Sequence, residues 1–85
     1  MRLVTMYSTA YCPFCQMAEN LLQVKDAPID KIRVDLEPER RVEMATKTGR
    51  RTVPQIYIGE LHVGGYDELA ALERAGRLDQ LLRAE

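Results

Sequence analysis

The stretch "LVTMYSTAYCPFCQMAENLLQV", Leu3 to Val24, changes its periodicity part-way along, and the two cysteines of the chain sit at the change. "LVTMY" is a short, mostly apolar run of β-favouring residues and reads as a strand covered on both faces. "STAY" breaks the run. Pro13 then suits the first position of a helix, where its missing N–H costs nothing. Phe14, Met17, Ala18, Leu21 and Leu22 follow at helical spacing and predict a helix from about Pro13 to Val24. Cys12 and Cys15 therefore fall where the first strand hands over to the first helix.

Working outward, Asp26 to Asp30 with Pro28 is a connection. "KIRVDL" alternates, with Ile32, Val34 and Leu36 on one side, and predicts a second strand. Strand–helix–strand in one sheet is most simply a right-handed parallel unit. Pro38 opens a charged helix with Val42 and Ala45 inward, closed by Gly49. "VPQIYIG" and "LHVGG" form a hairpin about Gly59 and Glu60. Asp67 is the expected N-cap of a helix "ELAALERA" ending at Gly76. "LDQLLRAE" adds a final helical turn or two, with Leu78, Leu81 and Leu82 packing back. The order β-α-β-α-β-β-α predicts an α/β fold, a four-stranded mixed sheet with helices on its faces.

The 85 residues suit one domain, 1–85, and a net charge of −1 gives no general attraction to nucleic acid or anionic membrane. A hydrophobic share of 46% and a charged share of 29% describe an ordinary soluble protein. No run approaches membrane-spanning length, and the N-terminus has no apolar core with a cleavage site, so the expected location is the cytoplasm. Structural disulfides are rare there, and a bridge over two residues restrains almost no chain entropy. The cysteine pair reads as chemistry. A free thiol is only about 3% ionised at pH 7, and the unpaired N–H groups of a helix start stabilise the thiolate of Cys12. Cys15, one turn in, is sheltered and close enough to form a disulfide with Cys12. Cys12 attacks and Cys15 resolves. Lowering the thiol pKa from about 8.5 to about 5.5 raises the thiolate fraction roughly 30-fold while nucleophilicity falls about 20-fold, so the lasting gain is in Cys12 as a leaving group. Two other readings stand beside this one. Zinc would need four ligands, and only His62 is left to join the cysteines, so no metal is expected. A buried, inert pair would make Pro13 a coincidence.

Three motifs in register, "YCPFC", "RRTVPQIYIG" and "GGYDEL", closely resemble the dithiol glutaredoxins of the thioredoxin superfamily, bacterial single-domain glutaredoxins above all. The resemblance runs along essentially the whole chain and implies a thioredoxin-like fold. It implies Cys12 as nucleophile and Cys15 as resolving thiol in a redox-active disulfide. Thr52, Val53 and Pro54 match the loop whose proline is cis, where the main chain of Val53 pairs with extended glutathione. Gly64, Gly65, Tyr66 and Asp67 match the turn that binds the γ-glutamyl end. Elementary chemistry agrees, since glycines allow close approach and helix N–H groups receive a carboxylate. Read without the resemblance, the glycines simply make the turn and Asp67 simply caps the helix. His62 reads as a solvent-facing strand residue, and Arg40 and Arg41 as a solvated helix face.

The resemblance further implies a glutathione-dependent reductant of protein disulfides and protein–glutathione mixed disulfides, with glutathione as co-substrate. Expected partners are such proteins, ribonucleotide reductase among them, and indirectly glutathione reductase. A monomer is expected. The chain departs from the family pattern at Phe14, where many members have tyrosine, at Thr9, where many carry lysine, and at Tyr66, often cysteine. "KTGRRTVP" supplies Lys47, Arg50 and Arg51 in place of the missing lysine, and Arg51, nearest the loop, is favoured. Two rivals remain: a reductant recharged by thioredoxin reductase, and a dimer holding a [2Fe–2S] cluster through Cys12 of each subunit and two glutathiones.

Overall fold

Val4, Met6 and Tyr7 are almost completely shielded from solvent, because the strand that carries them is flanked on both sides and covered on both faces. The computed structural model describes residues 1–84. Its elements are β1 (Val4–Ser8), α1 (Pro13–Val24), β2 (Ile29–Arg33), α2 (Pro38–Thr48), β3 (Gln55–Ile58), β4 (Leu61–Gly64), α3 (Tyr66–Arg74) and α4 (Leu78–Arg83). The sheet runs β2-β1-β3-β4. β1 and β2 are parallel, with Val4 opposite Ile29, and the two other pairings are antiparallel. This is the four-stranded mixed sheet and thioredoxin-like arrangement expected, with the last leucines forming α4 as an eighth element.

Alternation along the strands gives each face its own core. On one face Val4, Met6, Ile56 and Ile58 pack with Ala18 and Leu22 of α1, Leu69 of α3, and Leu78 and Leu82 of α4. On the other, Tyr7, Ile32, Val34 and Tyr57 pack with Met44 of α2. Each fully buried Leu or Ile contributes about 1.5–3 kcal/mol of transfer free energy, so the first cluster carries most of the cohesion. The hydroxyl of Tyr7 donates to the Glu43 carboxylate of α2 across 36 residues of chain. Among the described residues no helix is long and apolar enough to cross a membrane.

Three expectations need correction. β2 begins at Ile29, earlier than "KIRVDL" suggests, and Leu36 is 69% exposed. The chain turns there because the Arg33 carbonyl accepts from the N–H groups of both Leu36 and Glu37, each at 3.1 Å. In α2, Val42 is 67% exposed and Met44 takes the core position. Those two sites lie about 200° apart round a helix, so only one can face the sheet. The helix predicted from Pro13 to Val24 has those bounds, with Ala18 and Leu22 on its inward face and Phe14 and Met17 55% and 44% exposed. Finally, the N-cap of α3 is Gly65 rather than Asp67. Glu68 reaches back to accept the Gly65 N–H at 2.7 Å, one half of a capping box.

Candidate active site

Pro13 occupies the first turn of α1, which makes Cys12 its N-cap. The Cys15 N–H points at Cys12 Sγ at 3.2 Å, so one orphan donor of the helix start is aimed at this sulfur. Cys12 and Cys15 form a disulfide, with their Cα atoms 5.2 Å apart. Cys12 is partly exposed and Cys15 is only 4% exposed. The residue before the pair, Tyr11, is fully exposed and holds φ +56°, a left-handed conformation that swings the chain from β1 into the helix. Ahead of it the Ala10 N–H donates to Asp35, 3.2 Å away. Arg33 grips that carboxylate with two bonds of 2.7 Å and holds it well below the usual carboxylate range, so the loop hangs on a fixed anion.

Opposite Cys12 lies the loop into β3. The Val53–Pro54 peptide bond is cis, as the resemblance implied, and the Val53 carbonyl oxygen sits 3.9 Å from Cys12 Sγ. Gln55 Nε2 donates to the Thr52 carbonyl at 3.0 Å and to Thr52 Oγ1 at 3.2 Å. The hairpin then brings the start of α3 alongside. Between the two runs a groove of about 130 Å³, walled by Thr52, Val53 and Pro54 on one side and by Gly65, Tyr66, Asp67 and Glu68 on the other. Phe14 and Arg50 complete it, with the rings of Phe14 and Tyr66 6.2 Å apart. A second depression of about 560 Å³ borders both cysteines and includes Thr9, Tyr11, Gln16 and Lys31.

The structure thus gathers Cys12, Cys15, Thr52, Val53, Pro54, Gly65, Tyr66 and Asp67 at one place. Arg51 is not with them. It borders a separate depression beside Arg41, Val42 and Thr46, and Arg50 takes the groove side. The turn before them decides this. Gly49 caps α2 at φ +72°, and Thr48 Oγ1, which donates to the Met44 carbonyl at 2.8 Å, accepts the Arg50 N–H at 3.0 Å, which sets the path of the chain into the two arginines. Lys47 lies over the Tyr57 ring, 4.6 Å from its centroid. Thr9 lies in the second depression.

Sequence reading missed Glu68. Its carboxylate accepts from Gly65 and pairs with Arg50 at 3.2 Å, and these bonds, the Gly65 N–H foremost, lower its pKa. An acidic residue at the third helical position was the available signal. His62 was also misread. It is half-buried, and its Nε2 lies 2.8 Å from Gln55 Oε1. Among the described residues no group of three or more His, Cys, Asp and Glu side chains is placed to hold a metal ion.

Such an arrangement can exchange disulfides: a partly exposed sulfur at a helix start, a buried partner one turn on, and a groove whose Val53 wall lies beside the first. Comparison with known proteins agrees. The glutaredoxin family model matches residues 4–63. A glutaredoxin of Pseudomonas aeruginosa is 57% identical over 81 residues, covering 95% of this chain and 96% of its own. A solution structure of glutaredoxin from Brucella melitensis superposes with a TM-score of 0.85 at 47% identity, covering 98% of this chain and 90% of that one. A buckwheat glutaredoxin–glutathione complex superposes with a TM-score of 0.86 at 30% identity, covering 93% of this chain and 74% of that one. With its Cys12–Cys15 disulfide on a thioredoxin-like fold, this chain belongs to the glutaredoxin family of thiol oxidoreductases.

Proposed function

We propose that the chain is a glutathione-dependent disulfide oxidoreductase, with Cys12 as nucleophile and Cys15 as resolving thiol. The observation that carries this is the groove between the Thr52–Pro54 loop and the start of α3, which opens beside Cys12. The N–H groups of Tyr66 and Asp67, in the first turn of α3, have no partner within the helix and suit a carboxylate of the tripeptide. The exposed Asp67 carboxylate suits its α-ammonium, and the main chain of Val53 is placed to pair with an extended ligand as an added strand would. Arg50, rather than Arg51, is the cation for the second carboxylate. The glutathione complex of the buckwheat relative supports this reading.

In the monothiol route the Cys12 thiolate attacks the glutathionyl sulfur of a protein–glutathione mixed disulfide. A Cys12–glutathione disulfide forms, and the protein thiolate leaves and takes up a proton. The thiolate of a second glutathione attacks the glutathionyl sulfur, giving glutathione disulfide and free Cys12. In the dithiol route Cys12 attacks a protein disulfide, and Cys15 then displaces the product and closes the bridge seen here. Two glutathiones reopen that bridge, and glutaredoxin potentials of about −200 to −230 mV lie within reach of the glutathione pool.

The test is a coupled assay with glutathione and its reductase, run beside one with thioredoxin reductase, on a glutathionylated peptide and on a protein disulfide. Wild-type turnover is expected with glutathione. Cys12→Ser loses both reactions, and Cys15→Ser keeps deglutathionylation while losing disulfide reduction. Turnover driven only by thioredoxin reductase, or a Cys15→Ser protein as inactive as Cys12→Ser on the peptide, refutes the reading.

A further inference from the structure

Gln55 is completely buried, yet it carries an amide with one acceptor and two donors to satisfy. Its Nε2 contacts the Thr52 carbonyl at 3.0 Å. A carbonyl only accepts, so the amide must present its NH₂ group there, and its oxygen must point the other way. That oxygen meets His62 Nε2 at 2.8 Å. An amide oxygen also only accepts, so the proton of the neutral imidazole sits on Nε2. One carbonyl on the groove wall thereby dictates an amide orientation on β3 and a tautomer on β4.

We propose that His62, acting through Gln55, is a positioning residue that holds Thr52 and the adjoining wall of the groove in place. The inference rests on the reading of that groove as the glutathione site. Gln55 grips Thr52 at two atoms, the carbonyl and Oγ1, directly before Val53. Without the His62 N–H, the buried oxygen of Gln55 has no partner. Rotating to find one gives up Thr52, because a buried unpaired acceptor costs more than a hydrogen bond contributes. The imidazole is itself held by the Tyr57 ring, with centroids 5.0 Å apart, and Lys47 of α2 covers that ring from beyond. The other charges facing it are Arg50 and Glu68. Burial first and then Arg50 push its pKa down, with Glu68 opposing, so the ring is neutral at pH 7. Both neutral Nε2–H and imidazolium forms donate to Gln55, so the contact is a brace rather than a pH switch.

The test measures the glutathione dependence of turnover on a glutathionylated peptide, with nitrogen-15 spectra of the imidazole. His62→Phe keeps a ring against Tyr57 and removes the donor. Its apparent KM for glutathione is expected to rise about 2- to 10-fold with kcat nearly unchanged, the range set by one hydrogen bond. His62→Gln returns an N–H donor and restores most of the KM. The wild-type spectrum shows the Nε2–H tautomer. Gln55→Glu keeps the acceptor for His62 and loses the donor to Thr52. It gives the same KM rise, which reports the grip on Thr52, and His62→Leu, which also lacks the donor, replaces His62→Phe if that variant does not fold. An unchanged KM in folded His62→Phe, no rescue by His62→Gln, or an Nδ1–H tautomer overturns the positioning role alone. A wild-type protein without saturable glutathione dependence overturns the groove reading itself, and this inference with it.

Discussion

Arg50 and Arg51 carry the same side chain on adjacent residues, and the chain sends them to different surfaces. Arg50 lies in the groove, paired with Glu68, while Arg51 lies over α2. If Arg50 meets a glutathione carboxylate, its contribution is that of a half-exposed pair, about 0.2–1 kcal/mol and screened by salt. Arg50→Ala is therefore expected to raise the KM for glutathione about 1.4- to 5-fold at low ionic strength and less at high. Arg51→Ala leaves it unchanged. Measuring both variants at two salt concentrations checks this, and a larger effect of Arg51→Ala would reverse the assignment. Which arginine faces the groove was not legible in the sequence. Alternation along an extended chain says that the two differ, but the left-handed Gly49 and the Thr48 hydroxyl set the path of the chain into them.

The start of α3 is a helix terminus that is capped and still leaves first-turn donors free. Glu68 satisfies the Gly65 N–H and leaves the donors of Tyr66 and Asp67 to the groove. Glu68→Ala removes this cap and is expected to lower stability by about 1 kcal/mol, or roughly 4–8 °C in Tm for a domain this small. Glu68→Gln keeps an acceptor for Gly65 and loses less. Thermal melts of the two variants decide this, and equal losses would mean that charge rather than the cap matters. The β1–α1 handover was fully legible, because Pro13 and the shift from apolar run to helical spacing mark it from within. The end of β2 and the inward face of α2 were not. "KIRVDL" alternates past the point where the Arg33 carbonyl turns the chain. In α2 the spacing of Val42 and Ala45 offers as good a helical face as Met44, and only the aromatic pocket of Tyr7 and Tyr57 selects Met44. Local pattern gives the elements, and partners distant in sequence choose among their faces.

Across the whole molecule, the Tyr7–Glu43 bond links the central strand to α2 and ties stability to pH at both extremes. Burial first and the Glu43 bond second push the Tyr7 phenol up to about 12. The unfolded chain ionises near pH 10, so this stabilisation is complete below about pH 10 and is lost as pH rises towards 12. The Glu43 pKa is lowered, chiefly by the same bond. Its contribution is present above about pH 4.5 and is lost as pH falls through its folded value. Tyr7→Phe is expected to flatten both limbs at once, which urea midpoints from pH 3 to 11 would show, and an effect on one limb only would refute the coupling. The tyrosines also have an optical consequence. The chain has four of them and no tryptophan, so its ultraviolet emission is theirs alone. Tyr7 and Tyr57 are enclosed, Tyr11 stands in solvent beside Cys12, and Tyr66 lies against Phe14 in the groove. A dissolved quencher reaches Tyr11 and Tyr66 and spares the other two, and a molecule seated in the groove covers Tyr66 and leaves Tyr11 bare. The protein carries its own fluorescent gauge of groove occupancy, without a label.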